Sequence, residues 1–151
     1  MCVFIVFLVG YAMAGQAEPP PALGTLRLVH ALQGEEALQV INRLHGKEVA
    51  GEESYIAHYE KEGAVAMLYV SQASSAEQAT RQVENMAERI KQGNTPFYHL
   101  KVLQREGTPV YSALGQGQIH YFYRREATVI WLAVDPRVAQ EALTQLFHQM
   151  R

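Results

Sequence analysis

The chain has 151 residues, 48% of them hydrophobic, with 13 Lys and Arg set against 15 Asp and Glu for a formal net charge of -2. That length falls close to the commonest domain size of about 100–150 residues, and the interspersed, balanced charges lack the basic footprint that nucleic-acid binding requires. The one cysteine, Cys2, precedes the first apolar run, so the rest of the chain can hold no disulfide framework, no CxxCH haem attachment and no cysteine zinc site.

In chain order, residues 3–14 form an apolar run followed at once by small residues and prolines, the outline of a cleavable signal peptide. The run is shorter than the roughly 20 residues of a membrane-spanning helix, so no transmembrane helix is expected in the mature chain. Ala12-Met13-Ala14 and Gly15-Gln16-Ala17 are the small-x-small cleavage candidates, the second preferred because it leaves Glu18 and Pro19-Pro20-Pro21 as a leader. Residues 1–17 are therefore expected to be the signal peptide, 18–24 a solvated proline-rich leader and 25–151 a single domain, in a periplasmic or secreted protein. No basic residue precedes the apolar run, which departs from the usual pattern.

Residues 25–30 read as a short strand and 35–45 as a helix, with Leu38, Ile41 and Leu44 at three-residue spacing and Gly46 placed to end it. Residues 54–60 and 64–71 form a hairpin around Glu62-Gly63, the second strand apolar enough to be central in its sheet. Ser74-Ser75-Ala76-Glu77 has the capping-box pattern, with the Ser74 hydroxyl expected to accept from the Glu77 amide. The helix it opens keeps Ala76, Ala79, Val83, Met86 and Ile90 on one face and stops at Gly93, Asn94 and Pro96. Strands at 97–104, 109–114, 118–125 and 128–134 follow, divided by Glu106-Gly107, Gly115-Gln116-Gly117 and the Arg125-Glu126 region. Asp135-Pro136 opens a last helix whose stripe is Val138, Ala142, Leu146 and Phe147, widened by Leu143 and Met150. A constant offset superposes Ile56 on Ile119, Ala64 on Ala127, Ala76 on Ala139 and Ala79 on Ala142, a match that two hairpin-helix units give by shared pattern alone.

This order specifies an α+β fold, an antiparallel sheet of about six or seven strands with helices packed on its faces. In element order, and in stretches such as Gly117-Gln118-Ile119-His120-Tyr121-Phe122-Tyr123, residues 25–150 resemble the PsbP-like α/β/α sandwich of exported bacterial domains. The resemblance implies a non-enzymatic accessory or binding factor, although a fold does not fix a function.

The residues themselves offer little catalytic chemistry. Gly115-Gln116-Gly117 leads into a strand, whereas a dinucleotide fingerprint leads into a helix. The serines lack G-x-S-x-G surroundings, and Ser74 or Ser75 reads as a cap. Glu35-Glu36 sits at a helix start and Glu52-Glu53 in a loop, neither in surroundings that would split two carboxyl pKa values. A small hydrolase is thus unsupported, and no catalytic residue or cofactor is assigned.

Among 6 histidines none forms an H-x-x-x-H or H-E-x-x-H pair. His45 and His148 lie near helix C-termini, while His58, His99 and His120 lie on strands and leave a sheet-assembled metal or haem site as the alternative reading. Met67, Met86 and Met150 read as core filler. Trp131, in a strand apolar on both faces, is expected to be enclosed. Strand alternation places Phe97, His99 and Lys101 on the same side as His120, Phe122 and Arg124 of a second strand. His99, Lys101, His120, Phe122 and Arg124 are accordingly expected to meet a partner, another envelope protein or an anionic ligand, more strongly below about pH 6.5 as the imidazoles charge.

Overall fold

The structure is a computed structural model and describes residues 17–45, 51 and 53–150. The apolar run with Cys2, the helix stop at Gly46 and Glu52 of the second acidic pair lie outside the described residues. The strands are β1 (Ala22–Leu23), β2 (Leu26–Gln33), β3 (Tyr55–Lys61), β4 (Ala64–Gln72), β5 (Tyr98–Arg105), β6 (Thr108–Gly115), β7 (Gln118–Arg125) and β8 (Thr128–Val134). The helices are α1 (Gly34–His45), α2 (Ala76–Lys91) and α3 (Ala139–Gln149). The strands form one antiparallel sheet in the order β1-β2-β3-β4-β8-β7-β6-β5.

Eight strands replace the six or seven expected, and the additional one comes from the stretch read as a solvated leader. Leu23 is fully buried, the Tyr59 hydroxyl donates to the Pro20 carbonyl at 2.8 Å, and the Leu28 amide donates to the Pro21 carbonyl at 3.1 Å. Gly24 takes the β1–β2 turn with φ 63°, and its amide donates to the Gln145 side chain of α3. Prolines in that stretch suggested an extended, wet segment; they stiffen a segment that the domain packs instead.

Alternation on the central strands divides the core. Ile130, Leu132 and Val134 of β8 join Ala66, Leu68 and Val70 of β4 in a cluster with Leu143, Leu146 and Phe147 of α3. The intervening Val129 and Trp131 pack instead with Phe122 and with Ala79, Val83 and Ile90 of α2. On the same side as α2, Ala37 and Ile41 of α1 cover Ile56, flanked by Met67 and Tyr69. The stripe of α1 is thus Ala37 and Ile41 at helical i, i+4 spacing; Leu44, expected in it, is 65% exposed.

One local signal shifts from its expected place. The cap of α2 is Ser75, which accepts from the Gln78 amide at 3.1 Å, one residue later than expected. β5 forms one edge of the sheet, and Tyr98 and Val102 are exposed there. The repeat-like offset also lacks a structural counterpart. It carries Leu68, on the α3 side of β4, to Trp131, on the α2 side of β8. Reversing strand order and direction while also exchanging faces is not a rotation, so no two-fold axis relates the β3-β4-α2 and β7-β8-α3 units.

Candidate functional site

The helices α1 and α2 leave a gap over the middle of their shared sheet face, and a cleft of about 410 Å³ opens there. Its floor includes Met67 and Tyr69 of β4, Trp131 and Ala133 of β8 and His120 of β7. Ile41 and Leu44 form one wall, Met86, Arg89 and Ile90 the other, and the 94–97 connection closes one end with Phe97. A largely apolar concavity of this size with a few polar groups has the form of a small-molecule site.

The floor is a set of locked rings. Pairing across four strands puts Tyr111, Phe122, Trp131 and Tyr69 in one row. Tyr111 stacks on Phe122 at 5.1 Å and 10°, and Phe122 stacks on Trp131 at 4.8 Å and 9°. Phe97 packs its ring 4.6 Å from His120 and 5.3 Å from Trp131. Offset rings at such spacings contribute about 0.5–1.5 kcal/mol per pair beyond area burial.

His120 fixes the indole. The Trp131 Nε1–H is only a donor, so the contact of 3.1 Å to His120 Nδ1 makes that nitrogen the acceptor. The other nitrogen, Nε2, then carries the proton and donates to the Gly115 carbonyl at 3.0 Å. Burial holds the imidazole pKa below its ordinary value, opposed by that backbone bond. Gly115 is needed for close approach, since a Cβ there would meet Phe97 Cδ1 at 2.8 Å and the Pro96 carbonyl oxygen at 2.9 Å. The following Gln116 and Gly117 both take positive φ, 57° and 76°, as a two-residue hairpin turn requires.

The residues expected to share one partner-binding face are separated. His120 is 2% exposed, packed against the Phe97 and Trp131 rings, and Phe122 is 0% exposed, packed against α2. Lys101 pairs with Ser112, which pairs with Tyr121, so it belongs to the α3 side, opposite His120. The cause is a register shift between Tyr98 and Lys101, where His99 adopts φ 54° and the alternation slips. His99 is exposed beside the Tyr98 ring at the edge, and Arg124 donates to the Glu126 carbonyl at 3.3 Å at the far end of β7. A wider depression of about 660 Å³ passes Arg124 and Arg125, but the Arg125 guanidinium lies 4.1 Å from the Phe147 ring centre and bonds the Phe147 carbonyl. The expected charging of both imidazoles also fails for His120, whose two nitrogens are committed in the neutral form.

The sheet histidines do not converge. His58 lies 3.1 Å from Glu60 on its own strand, and among the described residues no group of three or more His, Cys, Asp or Glu is placed to hold a metal ion. No helix among the described residues is long and apolar enough to cross a membrane. Sequence reasoning missed the cleft's floor residues Tyr69 and Met67, which it read as ordinary strand and core. The available signal was that β4 is apolar on both faces, while the helix preceding its hairpin and the helix following it are too narrow to cover that width. A scan against protein-family models finds no match to this chain, and searches of curated proteins and of solved structures find none.

Proposed function

We propose that the chain is an exported, non-catalytic binding or accessory module of the cell envelope, with the α1–α2 cleft as its ligand site and an α/β/α sandwich of the PsbP-like kind as its scaffold. The observation that carries this reading is the cleft's floor, where Trp131 is only partly buried yet held rigidly by Phe122 on one side and His120 at its N–H. An apolar ring kept in place and partly open to solvent is preorganised for contact, which lowers the ordering cost of binding. His120 is spent on that positioning and is not available as a general base, because both ring nitrogens already have partners.

The chain contains 1 Trp, so its fluorescence reports on the cleft alone. Protein recovered from its native envelope is expected to begin near Glu18 by intact mass. Screening it against a library of envelope metabolites and fragments is expected to yield compounds that shift Trp131 emission. A library that leaves the emission unmoved, with the protein folded, removes the cleft from consideration as a binding site.

A further inference from the structure

The row of rings stops short of its last member. Tyr111, Phe122 and Trp131 stack in succession, so the indole face away from Phe122 looks toward β4, where Tyr69 is the direct cross-strand partner of Trp131. Tyr69 nevertheless makes no ring contact among the described residues, and both side chains line the cleft. Among the described residues no ring therefore stacks on the indole face toward β4. The electrostatics of the same cleft are one-sided. Arg89, in the last turn of α2, is the single full charge among its described lining residues. It is exposed and forms no ion pair or hydrogen bond among the described residues, and no carboxylate is among the cleft's described lining residues.

We propose that the cleft binds a planar aromatic anion whose ring occupies the space between Trp131 and Tyr69 and whose charged group pairs with Arg89; this rests on the cleft being the binding site. Stacking on the open indole face continues a ladder already three rings long, and edge or face contact with Met67 and Met86 suits the same ring. A guanidinium with no partner among the described residues offers a planar fork matched to a carboxylate. An aliphatic anion would satisfy Arg89 but leave the indole face without its stacking partner. A neutral aromatic would fill the gap but gain nothing from the cation.

Calorimetric titration with 2-naphthoate, 2-naphthamide and decanoate separates these cases, with Trp131 emission followed in parallel. The carboxylate with the aromatic ring is expected to bind tightest of the three. Arg89→Gln, at an exposed position, is expected to weaken 2-naphthoate about tenfold and to leave 2-naphthamide unchanged. Tyr69→Leu is expected to weaken both naphthyl compounds, with circular dichroism confirming that each variant folds. Tighter binding of decanoate than of 2-naphthoate, or indifference of 2-naphthoate to Arg89→Gln, overturns the assignment. If all three probes are silent while other compounds move Trp131 emission, the aromatic-anion class is wrong and the cleft still binds; silence from every compound overturns both.

Discussion

His120 links stability to pH through a bond it can make only when neutral. Protonation would place a second N–H at Nδ1, facing the Trp131 donor at 3.1 Å, inside an apolar set of rings. Its folded-state pKa is lowered by burial, while the unfolded chain keeps the ordinary value near 6.5. Below that value the unfolded state binds the extra proton more readily, so the contribution of His120 is complete above about pH 6.5 and is lost as pH falls toward the folded pKa. Urea melts followed by Trp131 fluorescence should therefore show the parent losing stability between pH 7 and pH 5 by more than His120→Gln does. Equal losses in the two proteins would mean that the imidazole is not held neutral by its surroundings. This arrangement was half legible in the sequence. Period-two alternation placed His120 and Phe122 on one side of β7, but nothing local announced that α2, about thirty residues earlier, returns to that side and packs on Phe122. The slip at His99 was hidden for a different reason, since a non-glycine residue adopts the positive φ that displaces Lys101 to the other face.

Hairpins and helices were the most legible elements because their signals are local. Glu62-Gly63, Glu106-Gly107 and Gln116-Gly117 all supply consecutive positive φ angles at the turns where they were read. The start of α2 was legible to within one residue. Ser74-x-x-Glu77 and Ser75-x-x-Gln78 both satisfy the capping-box pattern, and the choice between them depends on which register buries Ala79, Val83 and Ile90 against Phe122 and Val129. Packing selects Ser75, whose extended backbone, φ -160° and ψ 165°, is that of an N-cap. Ser75→Ala should then cost about 1 kcal/mol, and Ser74→Ala should fall within about 0.5 kcal/mol of the parent, as a surface change does. Thermal melts of the two variants distinguish the registers, and the reverse order of effects would place the cap at Ser74.

At the scale of the whole molecule, the sheet is asymmetric in how its ends are finished. Among the described residues no strand pairs with the outer edge of β5, which carries Tyr98 and Val102 as exposed apolar side chains. Lys101 and Arg105 on the same strand oppose pairing with a second copy, as charged edge strands do. The opposite end is closed by the short β1, which adds two residues of strand but ties the 20–24 stretch to three distant parts of the fold: β2, β3 and α3. Sequence reading placed the domain start at residue 25 because a two-residue strand beside prolines has no periodicity to detect. A chain cut after Ala17, as proposed, would retain every residue of this closure. A chain beginning at Thr25 loses the fully buried Leu23, worth about 1.5–3 kcal/mol, and leaves the Tyr59 hydroxyl without its Pro20 acceptor, at a cost of about 1–3 kcal/mol. It should be less stable than a chain beginning at Glu18 by about 3 kcal/mol or more. Denaturant midpoints of the two chains decide this. A shared midpoint would show that β1 is an ornament of the sheet edge, and that the domain closes without it.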